Sequence, residues 1–284
     1  MKINAYVLGG EPDYAAFSAL SYYGIVEKIF VSYDENSIGY GGYPIRVQEC
    51  LAKLRDIDPE NKMVFVGGNY ARPGFTPMEN ETYQRQCTLD IAGEGVDWIL
   101  QLDTDEVLGN PQAFRACLEK ARDAGFKAVD YPARWLYRQL GGGRYLEWCN
   151  RFWTISAGYP GPVAVAPGVK VLNGRQCDSE SYRVDFRSTN TGSKLLDDRP
   201  IHEVVAPEDG IYHFSWTRDE DHLLNKFKTW SHSKDKDWTP DFRRWVWCGK
   251  HPYAATLLSP LNRGNMMGKH LRIMDVPSVP FEER

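Results

Sequence analysis

The sequence predicts an α/β fold: a mostly parallel sheet flanked by helices, with a β-rich second half. Three observations carry this. Short apolar runs alternate with helix-patterned segments through residues 1–127. Acidic residues follow two of those runs directly, at Asp34 and Asp103. From residue 128 to 284 the helical pattern gives way to clusters of glycine and proline.

Residues 3–8 (INAYVL) read as a strand, followed by Gly9-Gly10 and a helix over about 13–23. Residues 28–32 (KIFVS) form a second strand that ends in Tyr33-Asp34-Glu35-Asn36, and a helix follows near 44–56. A strand at 63–66, a longer helix over about 78–93 and a strand at 98–102 (WILQL) come next. Asn110-Pro111 opens another helix, with Asn as N-cap and Pro at the first helical position. Alternation of this kind indicates βαβ units and a parallel sheet. Such sheets bind ligands at the carboxyl ends of their strands, where Asp34 and Asp103 stand. Past residue 128, a strand at 128–134 leads into the turn-rich stretches Gly141-Gly142-Gly143 and Gly158-Tyr159-Pro160-Gly161. A short strand at 211–214, a helix over about 219–230 and an aromatic-rich tail close the chain. One domain with a divergent second half accounts for this order.

The bulk numbers exclude several classes. With 284 residues, 42% hydrophobic and 25% charged, the chain has the composition of a globular protein rather than a disordered one. A formal net charge of −4 argues against a general nucleic-acid binder, although a local basic stretch runs from Lys226 to Arg244. No apolar run approaches the roughly 20 residues of a membrane helix, and the first residues read as a strand rather than a signal peptide. Six scattered cysteines without a Cys-x-x-Cys pair fit buried thiols in a reducing cytoplasm. The expected location is therefore cytoplasmic.

Asp103-Thr104-Asp105-Glu106 follows its strand without a break. In an extended chain, residues two apart point to the same side, so Asp103 and Asp105 can share one Mn²⁺ or Mg²⁺ ion. Such ions take oxygen ligands, commonly one or two carboxylates plus substrate phosphates. A calcium loop does not fit, because the sixth position is Leu108 and the twelfth Phe114. A haloacid-dehalogenase-type phosphatase also uses Asp-x-Asp, but after its first strand. A solvated acidic turn is the plain structural alternative.

The order of these features resembles the GT-A glycosyltransferases, especially the family 2-like bacterial and viral type. The resemblance covers about residues 3–110: a first strand with a small-residue turn, Asp34 after the second strand, and a helix carrying Arg85 before the Asp-x-Asp. It implies that the turn from Leu8 through Gly9 to Glu11 contacts ribose and base, that Asp34 contacts the base, and that Arg85 or Gln86, with Asp103, faces the nucleotide side. The segment Tyr212-His213-Phe214-Ser215-Trp216 is similar to the late His-Phe motif of these enzymes. There the His is a third metal ligand and a following Lys lies on the diphosphate. His213 and Lys226 (or Lys228) take those places here, with His202 and His232 as competing ligands.

The implied activity is metal-dependent transfer of a sugar from a UDP- or GDP-linked donor to an acceptor hydroxyl, with inversion. An inverting reaction needs a carboxylate base, and the candidates are Asp178, Glu180, Asp219, Glu220 and Asp221. The partners expected are a nucleotide sugar and an acceptor glycan, lipid, protein or modified nucleobase. Nine aromatic residues of the second half are expected to build the acceptor side: Trp135, Tyr137, Tyr145, Trp148, Trp153, Tyr159, Trp216, Trp245 and Trp247. A nucleotidyltransferase or phosphatase reusing the acidic strand end, and a non-catalytic carbohydrate- or nucleotide-binding module, remain as alternatives.

Overall fold

Strand β1 (Ile3–Leu8) shows how the centre is layered, because its side chains divide between two apolar clusters. Ile3, Ala5 and Val7 pack with residues of α1 (Ala15–Tyr23), α2 (Val47–Asp56) and α4 (Pro111–Asp123). Tyr6 packs on the other face with Leu89 and Ala92 of α3 (Pro77–Ala92). Alternation along a strand sends neighbours to opposite faces, so a central strand covered on both faces is mostly apolar, and the buried Asn4 donates its Nδ2 to Ala92 O at 2.8 Å. This is a computed structural model, which describes residues 1–150, 153–186, 200–259 and 270–275.

The largest sheet adds β2 (Lys28–Asp34), β3 (Met63–Gly68), β4 (Trp98–Leu100) and β6 (Ala128–Asp130) to β1. With β9 (Ala164–Val165), β12 (Ser181–Phe186) and β13 (Glu203–Val205) its order is β13-β12-β6-β9-β4-β1-β2-β3. Every neighbouring pair is parallel except those made by β9 with β4 and β6. The mixed α/β architecture with a large, mostly parallel sheet flanked by helices is thus the one the sequence predicts. From β1 the chain moves one way to β2 and β3, then returns to place β4 on the opposite side of β1. That reversal opens a crevice at the carboxyl ends of β1 and β4.

A second sheet comprises β5 (Glu106–Leu108), β7 (Ala133–Gln139), β8 (Arg144–Cys149), β14 (Ile211–His213) and β15 (His270–Asp275). Its order is β15-β8-β7-β14-β5. Strand β5 was not expected from the sequence. Its partner β14 lies far downstream, and antiparallel pairing with it supplies the ladder that three residues lack alone. A small hairpin joins β10 (Val171–Asn173) to β11 (Gln176–Cys177).

Helix starts follow local chemistry. Thr76 caps α3 through a reciprocal capping box with Glu79, and Asn110 Oδ1 accepts the Ala113 N–H at 3.0 Å. The tail read as aromatic-rich contains α6 (Thr239–Lys250) and α7 (Pro252–Leu258). Packed with α5 (Glu220–Thr229), they enclose a second core of Trp216, Phe227, Trp238 and Trp245. Among the described residues, no helix is long and apolar enough to cross a membrane.

Candidate functional site

A cavity of about 380 Å³ opens at the carboxyl ends of β1, β2 and β4. The turn after β1 forms one wall, where Gly9 donates its N–H to Ser32 O at 2.7 Å. A Cβ on Gly9 would stand 3.0 Å from Val31 Cγ1, so a larger residue there would require Val31 to shift. The loop after β2 reaches across to the end of α5. Gly41 donates its N–H to Thr229 O, and a Cβ there would come within 1.9 Å of Lys228 O.

Pairing of β5 with β14 sets the centre. Register places His213 opposite Glu106, and Phe214 N–H donates to Asp105 O at 2.8 Å. Parallel pairing of β14 with β7 places Trp135 beside His213, ring centroids 4.3 Å apart. His213 Nε2 then stands 3.4 Å from Asp105 Oδ1, while its buried Nδ1 has no hydrogen-bond partner and lies 4.0 Å from Glu106 Oε1.

Four cations surround the acidic strand end. Lys226 Nζ donates to Asp105 Oδ2 at 2.7 Å and to Ser215 Oγ at 2.8 Å. Arg218 Nη2 donates to the same Asp105 oxygen at 2.9 Å. Arg85 Nη2 donates to Asp103 Oδ1 at 2.7 Å, and its Nε donates to Glu81 at 2.8 Å. Arg175 makes a bidentate pair with Glu106, at 2.6 and 2.5 Å. Glu106 Oε2 also accepts the Asp103 N–H at 2.9 Å, which fixes the turn between the two aspartates.

These contacts set the charge states. Burial pushes the Asp105 carboxyl up, but Lys226, His213 and Arg218 together hold it well below its ordinary value. Burial likewise raises Asp103, and Arg85 and Arg175 reverse this to leave it below the ordinary value. Both are carboxylates at neutral pH.

The structure brings together most of the residues singled out from sequence. Leu8, Gly9, Glu11, Asp34, Arg85, Asp103, Asp105, His213 and Lys226 all line the cavity. Asp34 has its carboxylate engaged already: Oδ1 accepts the N–H groups of Asn36 and Ile38, and Oδ2 those of Tyr70 and Ala71. It ties two loops to the end of β2. Of the two lysines, Lys226 faces inward while Lys228 is exposed.

The base candidates are not brought to this place. Asp219 caps α5 by accepting the His222 N–H at 2.9 Å, Glu220 stands exposed near Arg138, and Asp178 accepts the Lys170 N–H at the β10–β11 hairpin. None of the three lines the cavity. His202 is stacked on Tyr182, away from the cavity, whereas His232 is at the rim with Asp235 at 2.6 Å. Of the nine aromatics expected on the acceptor side, only Trp135 lines the cavity. Burial explains part of the difference, since Tyr137, Trp148, Trp216 and Trp245 fill the second core. Sequence reasoning missed Arg175 and Arg218. Each lies in a turn whose role comes from distant partners, and no local pattern marks them.

The donor set tests whether a divalent ion fits. Among the described residues, no group of three or more His, Cys, Asp or Glu side chains could hold a metal ion. The expected set of Asp103, Asp105 and His213 is therefore not assembled, because Asp103 is turned to Arg85. Asp105 Oδ1 and His213 Nε2 remain as a pair 3.4 Å apart. Adjacent ligands on an octahedral ion at about 2.1 Å lie roughly 3 Å apart. The pair supplies two donors, too few among the described residues to hold an ion alone.

No protein-family model matches the sequence, and a search of curated proteins gives no match. Three solved structures are among those that align with part of this chain. The 4-diphosphocytidyl-2C-methyl-D-erythritolsynthase from Anaerococcus prevotii is 10% identical over 58% of this chain and 70% of its own, with a TM-score of 0.35. A mannose-6-phosphate isomerase from Helicobacter pylori is 12% identical over 50% of this chain and 53% of its own, with a TM-score of 0.30. A mannose-1-phosphate geranyltransferase from Thermus thermophilus is 14% identical over 59% of this chain and 51% of its own, with a TM-score of 0.29. The chain spans about half the length of the last two. At such scores the likeness carries no argument, and what those proteins convert does not transfer to this chain.

Proposed function

We propose that this chain is a GT-A-type glycosyltransferase that moves a sugar from a nucleoside diphosphate donor to an acceptor hydroxyl. One observation carries the reading. Asp105, His213 and Lys226 come from distant parts of the sequence and meet in one cavity at the switch point of a parallel sheet. A diphosphate leaving group needs positive charge where its own charge grows. Lys226, Arg218 and Arg85 supply that charge from buried positions.

In this reading the bond between the anomeric carbon and the diphosphate oxygen breaks, and a bond to the acceptor oxygen forms as its proton passes to a base. Lys226 turns from Asp105 to a phosphate oxygen. Arg85 holds Asp103 toward the nucleotide, and the Gly9 turn admits the ribose close to the backbone. Asp34 acts by holding the loops at 36–38 and 70–71 that shape the base end. A Mn²⁺ or Mg²⁺ ion bound by Asp105 and His213 would neutralise developing charge on the leaving diphosphate. Asp178, Asp219 and Glu220 lie outside the cavity, so among its lining carboxylates Glu11 takes over as the candidate base; its nearest cation is Arg218, at 3.7 Å.

The density of arginine and lysine favours one second reading, a nucleotidyltransferase whose triphosphate the same cations hold. One assay separates the two. UDP- and GDP-sugars are incubated with the chain, with and without Mn²⁺, and nucleoside diphosphate release is measured. In parallel, nucleoside triphosphates with sugar phosphates are followed for pyrophosphate. Release of UDP or GDP supports glycosyl transfer; pyrophosphate alone would replace it with the second reading.

A further inference from the structure

The charge count around Asp105 bears on when a cation can enter. Four cations (Arg85, Arg175, Arg218, Lys226) stand against four carboxylates (Glu81, Asp103, Asp105, Glu106) in direct pairs. No surplus negative charge is left among them for a divalent ion. Asp105 is itself outnumbered, since Lys226 and Arg218 both bond its Oδ2 at 2.7 and 2.9 Å. Arg218 is buried and its Nε and Nη1 have no hydrogen-bond partner. The nearest further carboxylates, Glu11 and Asp13, approach it only at 3.7 and 3.8 Å, and Asp13 is already bonded by Arg46 at 2.6 Å. Buried charges are poorly screened by solvent and salt, so two fixed cations beside the donor pair repel a free ion strongly.

We propose that Lys226 and Arg218 keep free divalent cations out of the cavity, so that the ion enters only as its complex with a nucleoside diphosphate. The inference rests on the functional reading above. A diphosphate changes the balance twice over. It carries the missing negative charge, and it gives Lys226 a phosphate oxygen in exchange for Asp105 Oδ2. The donor pair, Asp105 Oδ1 and His213 Nε2, then has one cation fewer beside it, with Arg218 alone on Asp105 Oδ2. Lys226 would serve both as a phosphate contact and as a stand-in for the ion.

The experiment titrates the full chain with Mn²⁺ and reads free Mn²⁺ by electron paramagnetic resonance, alone and with UDP or GDP, with the Mn²⁺ held by the same nucleotide in the absence of protein subtracted. The wild type is expected to bind Mn²⁺ at least tenfold more weakly alone than with one of the nucleotides. Lys226→Met is expected to bind Mn²⁺ alone at least tenfold more tightly than the wild type, and Lys226→Arg, which keeps the charge, to stay within threefold of it. Equal Mn²⁺ affinity of the wild type with and without nucleotide overturns the inference, as does a Lys226→Met protein no tighter than wild type. The wild-type comparison stands even if a variant does not fold. Nucleotide binding with no Mn²⁺ uptake under any condition sinks the inference but leaves the nucleotide site. Absence of both sinks the functional reading as well.

Discussion

Lys226 Nζ lies 2.7 Å from Asp105 Oδ2 across a sequence separation of 121 residues. Both side chains are almost fully buried, with side-chain exposures of 11% and 6%. The pair closes α5 onto the end of the parallel sheet, so Asp105 has a structural task besides any task in the reaction. Breaking a buried pair from one side leaves a charge with no partner, which costs more than the pair contributes.

Asp105→Asn is therefore expected to destabilise the fold by about 3–5 kcal/mol, the usual cost of removing one partner of a buried pair. Urea denaturation checks this. Adding Lys226→Met to Asp105→Asn should recover part of the loss, because the orphaned ammonium is then gone. A single variant as stable as wild type would remove the structural role.

The same pair sets a pH dependence. Asp103 and Asp105 both titrate below their ordinary values in the folded state. A depressed carboxylate contributes stability that is fully present above its unfolded pKa, about 3.9, and lost as pH falls toward the folded value. The stability gap between wild type and Asp105→Asn should hold steady from pH 8 to 5 and narrow below about pH 4. Urea midpoints across that range measure it. A gap that narrows between pH 8 and 6 instead would mean that another group controls the site.

Asp34 gives a prediction opposite to that of a base-reading residue. Its carboxylate accepts four backbone N–H groups from two loops. Leaving buried donors without partners costs about 1–3 kcal/mol each. Asp34→Ala should thus lower stability by about 3 kcal/mol or more and impair nucleotide binding through disordered loops. A change in the donor's apparent KM with unaltered unfolding would restore the direct base contact.

What the sequence made legible follows the range of the forces involved. Strands β1 to β4 and β6 are read from their own apolar runs, and the cap Asn110 acts within three residues. Asp103, His213 and Lys226 were visible because each stands at an element end or on a buried helix face. Arg175 and Arg218 were not, since their meaning lies in carboxylates 69 and 113 residues away. Strand β5 escaped for the same reason, as its ladder is completed by β14. Asp219 stands at a helix N-terminus already in the sequence, and both it and Asp178 accept a nearby backbone N–H.

The joint role of Asp105 and His213 can be isolated by a double-mutant cycle. Backbone pairing holds the two residues side by side whatever their side chains, because Phe214 N–H donates to Asp105 O. Their side chains, 3.4 Å apart, then either share one ion or act separately. Ligands of a shared ion act as a unit, so removing either should cost most of what removing both costs. The measurement is Mn²⁺-dependent donor hydrolysis by Asp105→Asn, His213→Ala and the double variant, with each protein's folded fraction determined by its urea curve. Each single variant is expected to lose at least a hundredfold, and the double variant less than tenfold more. His232→Ala is the comparison, since His232 sits at the cavity rim on Asp235 rather than beside Asp105. Additive losses, or a silent His213→Ala alongside a damaging His232→Ala, would return His213 to a packing role against Trp135.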